Sequence, residues 1–211
     1  MHKNKNIYFS YFLFFFSLVY FLYGFIVNEN SAGAGGYSGD FFHTWNNLQI
    51  FLNNDFYYSI QNYYSNRSPV IYILHEFLNP FTDNQFKFRI SVFFISLLIP
   101  VLLFFCLKVK FEKIDNSILL VISSIILFSP YVRTSGYWAL EENFGILSIL
   151  ATFFFFNLFN NKKKLKFLNL SLSVFFSSLC VYFDLKLVIF PLIIFFSILF
   201  SKIKNVYKII M

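Results

Sequence analysis

A chain of 211 residues that is 58% hydrophobic, 24% aromatic and 13% charged, with a mean hydropathy of +0.64, excludes a soluble monomer and points to a membrane protein. Its net charge of +7 resides in loops between apolar runs, so it speaks of topology and anionic lipid rather than nucleic acid. No Gly-rich phosphate loop, Ser/His/Asp order or zinc spacing is present, which leaves soluble-enzyme mechanisms without support.

A helix rising 1.5 Å per residue needs about 20 apolar residues to cross a bilayer core. Stretches of that kind fall near 7–27, 89–107, 117–132, 143–160, 167–183 and 187–200. The expected fold is all-α: a polytopic transmembrane helical bundle of about six spans. Residues 1–211 form one integral membrane domain, with an extracytoplasmic loop over 28–88 that carries interfacial helices. The first run starts at Ile7, passes Gly24 and outlasts a secretory h-region, so it reads as a retained anchor.

After it comes a glycine-rich loop, Ser31 to Asp40. From there Phe41, Trp45, Leu48 and Leu52 recur at helical spacing while His43, Thr44, Asn46 and Asn47 point elsewhere, as in a helix lying flat in the headgroups with Asp40 at its entrance. The aromatics Phe56, Tyr57, Tyr58, Tyr63 and Tyr64 suit the interfacial zone. Asn66-Arg67-Ser68 fits a glycosylation acceptor pattern.

The apolar segment Pro69 to Phe81 decides the topology. It is too short for a crossing and carries His75 and Glu76, whose burial at mid-bilayer would cost several kcal/mol. It therefore lies on the surface, with Ser68 able to cap a helix and Pro69 suited to its first position. Cys106 and Cys180 sit inside apolar runs and read as small buried hydrophobes.

With the N-terminus inside, the cytoplasmic ends collect Lys3, Lys5, Lys108, Lys110, Lys113, Lys162, Lys163, Lys164, Lys166, Lys202, Lys204 and Lys208, which is twelve of the seventeen basic residues. The positive-inside rule is obeyed strongly, with both termini cytoplasmic in a multi-pass plasma (inner) membrane protein. The alternative is that 69–81 crosses with the N-terminus outside, which misplaces only Lys3 and Lys5 and makes Asp40 cytoplasmic. In the favoured topology Asp40, Asp55, Arg67, Glu76, Arg89, Arg133, Glu141, Glu142, Asp184 and Lys186 share the outer face, where ionisable groups at membrane depth tend to be functional.

The order Gly39-Asp40, an aromatic helix, Arg67-Ser68-Pro69, Ile71-Tyr72-Ile73-Leu74, Arg89 opening a span, Ser129-Pro130 closing another and Glu141-Glu142 resembles the GT-C glycosyltransferases. The likeness is strongest to the protein O-mannosyltransferase and lipid A aminoarabinose transferase group. It covers almost all of this chain and the N-terminal part of a family enzyme. The resemblance implies transfer of a sugar from a polyprenyl-phosphate donor to an extracytoplasmic acceptor. It implies catalytic carboxylates at Asp40 and at Glu141 or Glu142. Arg67, Arg89, Lys186 and His43 are the implied substrate-binding residues, the basic ones stabilising charge on the departing phosphate. Asp40-Phe41 stands where the family shows Asp-Glu, and Arg67-Ser68-Pro69-Val70 where it shows Lys-Pro-Pro.

Each of these residues also has a plainer reading. Asp40 is a favoured N-cap, Arg89 and Arg133 can snorkel to the headgroups, Glu141 and Glu142 suit a helix start, and Asp184 with Lys186 can be a turn pair. A divalent metal held by Asp40, His43 and Glu141 is an open alternative without ligand spacing, and no cofactor is assigned. Two other functions stay open. One is a non-catalytic membrane subunit or remnant that binds membrane lipids or a partner membrane subunit, favoured if the chain is truncated. The other, a small transporter or flippase, wants midplane charges and repeated halves that are not evident.

Overall fold

The computed structural model describes residues 2–30, 36–65, 67–161 and 165–200, and only the backbone of 2–6. The glycine loop at 31–35, Asn66 of the glycosylation pattern, the lysine run at 162–164 and the C-terminal lysines fall outside the described residues, as do the side chains of Lys3 and Lys5. Among the described residues every regular element is a helix and no strand occurs. That is the outcome expected where lipid cannot satisfy backbone polar groups.

In chain order the helices are α1 (His2–Ile26), α2 (Gly36–Asn53), α3 (Phe56–Asn62), α4 (Val70–Leu78), α5 (Gln85–Ser96), α6 (Leu98–Lys110), α7 (Asn116–Ile125), α8 (Pro130–Tyr137), α9 (Glu142–Asn161), α10 (Lys166–Phe183) and α11 (Ile189–Phe200). Short 3-10 turns at Ile126–Phe128 and Leu185–Val188 precede α8 and α11.

Four segments are long and apolar enough to cross a bilayer: Ile7–Ile26, Gln85–Lys110 formed by α5 and α6, Glu142–Asn161 and Lys166–Phe183. A fifth exists if Asn116–Phe128 and Pro130–Tyr137 act as one span, and these are bent by 63°. Among the described residues four segments, or five with the bent pair, are candidate crossings, where hydropathy leads to an expectation of about six. The bend has a local cause. Ser129 is held extended at φ −62°, ψ 121° because the following proline disfavours helical backbone before it, while Pro130 itself suits the first turn of a new helix. Ser129-Pro130 therefore opens α8 instead of closing a straight span over 117–132. The last expected span, 187–200, belongs to Leu185–Phe200, which over the described residues is shorter than the four candidate crossings.

Helix α4 has nine residues, about 13 Å of rise, and does not reach across a bilayer. Ile71, Tyr72 and His75 are buried along it, and it packs on α2 and α10. It begins one residue later than the Ser68-Pro69 reading has it. Pro69 precedes the helix, and the Ser68 hydroxyl accepts the Val70 N–H at 3.4 Å.

Helix α2 starts earlier than expected, at Gly36, so Asp40 lies in its second turn and is not its cap. Tyr37 and Phe41, one turn apart, both pack on the cluster of Leu48, Phe51, Tyr72 and Phe88, and this draws the helix start back. Thr44 and Asn47, expected to point away, are buried. Asn47 explains why: its Oδ1 accepts the Tyr64 N–H at 2.6 Å and its Nδ2 donates to the Tyr64 carbonyl at 3.0 Å. One side-chain amide thus holds the chain between α3 and α4 as a strand neighbour would.

In the bundle α1 lies beside α7, α6 touches both α7 and α9, and α9 pairs closely with α10. Small and weakly polar residues fill that last contact: Ser148, Thr152, Ser173 and Ser177 are buried, and Ser173 Oγ donates to the Thr152 carbonyl at 3.1 Å. Such residues let membrane helices approach closely. Asn143 ties three helices, donating to Ser96 Oγ at 2.8 Å and the Val132 carbonyl at 2.9 Å. Along α1 Phe9, Phe12, Phe15 and Phe16 are exposed, as rings facing hydrocarbon are.

Candidate functional site: a polar cluster at one end of the bundle

Two helix ends of the same design build this end of the molecule. Helix α1 finishes with Asn28 in the left-handed region at φ 51° and Glu29 N–H bonded to the Gly24 carbonyl at 2.9 Å. Helix α8 finishes with Ala139 at φ 51° and Leu140 N–H bonded to the Ser135 carbonyl at 3.0 Å. Both are Schellman closures, in which one left-handed residue lets the sixth N–H reach back to the first carbonyl. The first closure presents Asn28 and Glu29, and the second turns the chain so that Glu141 and Glu142 open α9.

Asn28 and Glu29 are fastened at once. Asn28 Oδ1 accepts from Arg89 Nη2 at 2.8 Å, Glu29 is ion-paired with Arg133, and the Glu29 carbonyl accepts the Trp138 indole N–H at 2.9 Å. Arg89 also donates to the Tyr137 carbonyl at 2.7 Å and lies 4.2 Å from the centre of the Trp138 ring. Arg133 lies 4.1 Å from the Tyr20 ring centre. Sequence expectation placed Arg89 at the opening of a span over 89–107. It sits instead in the second turn of a helix that begins at Gln85, with Nε and Nη2 engaged by protein.

The second centre gathers residues far apart in sequence. Arg67, from the stretch between α3 and α4, is ion-paired with Glu141, and its other terminal nitrogen lies 3.8 Å from Glu142. The carboxylate side chains are 2% and 6% exposed and Arg67 37%. Two buried carboxylates here share one partly exposed guanidinium. Glu142 stands in the first turn of α9, where the helix dipole favours negative charge. Asp184, at the end of α10, accepts the Tyr131 hydroxyl at 2.8 Å and caps the next turn by accepting the Lys186 N–H at 2.9 Å. Arg67, Asp184 and Lys186 all act electrostatically on Glu142, and Tyr37 of α2 acts on Tyr131. The turn carrying Lys186 lies close against α9 because residue 145 is glycine: a Cβ there would meet Leu187 Cδ1 at 2.5 Å.

Of the residues singled out in the sequence, the structure joins Arg67, Glu141 and Glu142, with Lys186 exposed on the turn beside them. Asp40 is exposed on α2 and has no ion pair among the described residues. His43 is exposed too, edge-on to Tyr64 with ring centres 6.3 Å apart. Asp55 caps α3 by accepting the Tyr58 N–H, and Asp83 pairs with Lys87 at 2.5 Å. Among the described residues no three His, Cys, Asp or Glu side chains converge as metal ligands, so Asp40, His43 and Glu141 do not form such a set.

Tyr131 and the Glu29–Arg133 fastener were not singled out as site residues. The available signal was Asn28 directly after a long apolar run, since asparagine is the non-glycine residue best suited to a left-handed helix stop. No family model, curated protein or solved structure matches the chain.

Proposed function

We propose that the protein is a membrane glycosyltransferase that moves a sugar from a polyprenyl-phosphate donor to an acceptor at the Arg67–Glu141–Glu142 end of the bundle. The observation that carries this reading is the cluster itself: buried carboxylates, a shared and partly exposed arginine, and Lys186 beside them. Charges of both signs at the bilayer surface suit a reaction whose donor is a lipid phosphate and whose acceptor is a hydroxyl. In this reading a carboxylate, Asp40 or one of the glutamates, takes the acceptor proton, and the hydroxyl oxygen bonds to the anomeric carbon. The bond from that carbon to the phosphate oxygen breaks, leaving polyprenyl phosphate with Arg67 and Lys186 to hold its charge. The cluster then faces the outer side of the inner membrane, with both termini cytosolic.

One observation favours a second reading, a non-catalytic subunit. Arg67 is already bound by Glu141, and Asp184 by Tyr131, as in a network that only holds helices together. The two separate in a nanodisc assay of the full chain with radiolabelled polyprenyl-phosphate hexoses. Transfer or hydrolysis that falls at least a hundredfold in Asp40→Asn or Glu141→Gln supports catalysis. Turnover unchanged in both variants, or absent with every donor, rejects it in favour of the subunit.

A further inference from the structure

The far end of α9 from Glu142 holds a second charged place. The α5–α6 span finishes at Lys110 and α9 at Asn161, about 30 Å of helix rise from the glutamates. Asn161 Nδ2 donates to the Val109 carbonyl at 2.8 Å, which ties the two helix ends together and satisfies a carbonyl that the end of α6 leaves open. Two spans that finish side by side put the turn after α6 at the level of lipid head groups.

That turn and Asn161 wall an open cleft of about 540 Å³, a size ordinary for a small-ligand site. Its charged lining is Lys110, Glu112 and Lys113, all exposed, and none has an ion pair among the described residues. Two cations and one anion leave the cleft a single net positive charge. Phe111 and Ile114 stand in the same wall and are 44% and 41% exposed, so apolar surface adjoins the charges. Two other lysines at this end are placed differently. Lys108 Nζ lies 5.9 Å from the centre of the Phe104 ring and Lys166 Nζ 5.9 Å from that of Phe159, and neither lines the cleft.

We infer that the cleft between the turn after α6 and the end of α9 binds the head group of an anionic phospholipid, its phosphodiester held by Lys110 and Lys113. The lipid chains then start against Phe111 and Ile114. One net positive charge matches the one negative charge of a phosphoglycerol head group, whereas the cation of a choline head group would meet the lysines. A free phosphate would use the lysines alone. The exposed apolar wall beside them, at the depth where two spans end, favours a lipid. The cleft and the Glu141–Glu142 turn lie at opposite ends of α9, so this seat does not rest on the transfer reading.

The test titrates the full chain in detergent with dioleoyl phosphatidylglycerol and with dioleoyl phosphatidylcholine, read by native mass spectrometry. Phosphatidylglycerol binds about tenfold more tightly, the scale set by two surface lysines acting on one lipid phosphate. Lys110→Gln with Lys113→Gln abolishes that preference. Lys108→Gln with Lys166→Gln removes the same charge from the same end of the bundle and keeps it. Equal affinity for the two lipids in the unaltered chain overturns the inference. So does a preference that survives without Lys110 and Lys113, or one that falls equally in the two double variants, since the lysines would then act only as diffuse charge. Displacement of bound phosphatidylglycerol by millimolar glycerol phosphate or inorganic phosphate also overturns it, by assigning the cleft to a free phosphate. Lys110 and Lys113 are exposed, so their replacement leaves the packing of α6 and α9 intact.

Discussion

Replacing Arg67 by alanine removes the only cation paired with Glu141 among the described residues and leaves two carboxylates, 2% and 6% exposed, beside each other. Removing one partner of a fully buried pair costs about 3–5 kcal/mol. Arg67 is 37% exposed, so water already screens it and reaches part of the vacated space, which brings the expected loss down to about 2 kcal/mol. For a chain of this size that is a fall in Tm of about 4–8 °C. Trp138 stands three residues before Glu141, so tryptophan fluorescence during heating in detergent reports the region directly. Glu141→Gln placed on top of Arg67→Ala removes the stranded charge and restores about half the loss, so the coupling in the double-mutant cycle is about 1 kcal/mol plus whatever Glu141→Gln costs alone. Losses that simply add, with no recovery in the double variant, would show that the two side chains do not act on one another and refute the reasoning.

Other expectations follow from the same geometry. Burial lowers the pKa of His75 from 6.5 to about 4; the unfolded chain binds the proton more readily, so stability is full above pH 6.5 and is lost as pH falls toward 4. The loss reaches about 3 kcal/mol, and denaturation midpoints at pH 7 and pH 4.5 check it against His75→Phe, in which this slope is absent. Ala139→Val puts a β-branched residue into a left-handed, buried position and lowers stability by about 2 kcal/mol, measured as a shift in Tm, whereas Ala139→Gly stays near neutral. Gly24→Ala brings a Cβ within 2.6 Å of Tyr137 ring carbons and costs about 1–3 kcal/mol; Tyr137→Phe, which keeps the ring, does not rescue it.

How much of this was readable in advance depends on the range of the forces involved. Membrane character, the all-helical fold and the shortness of 69–81 follow from composition and run length, properties each segment carries by itself. The start of α2 did not, because Tyr37 reaches back from the predicted helix to a core assembled from α2, α4 and α5. Ser129-Pro130 was visible as a break, but its sense was not: the same dipeptide can end one helix or begin the next, and here α8 opens in a new direction. Arg67 and Glu141 are 74 residues apart in sequence, and no periodicity reports a pairing of that span. Arg89 was visible as a charge among apolar residues. That Trp138, Tyr137 and Asn28 surround it depends on two Schellman closures meeting in space.

The account depends most on Asp40, the Glu141–Glu142 turn and Lys186 sharing one side of the membrane, opposite Lys110 and Asn161. Cys106 and Cys180 are buried, so single cysteines introduced as Asp40→Cys, Lys186→Cys, Lys110→Cys and Asn161→Cys can be probed with a membrane-impermeant maleimide in sealed cells. Labelling of the first two from outside, and of the last two only after permeabilisation, is the predicted result. Labelling of Asp40→Cys and Lys186→Cys from opposite sides would contradict the shared site and the transfer reaction built on it.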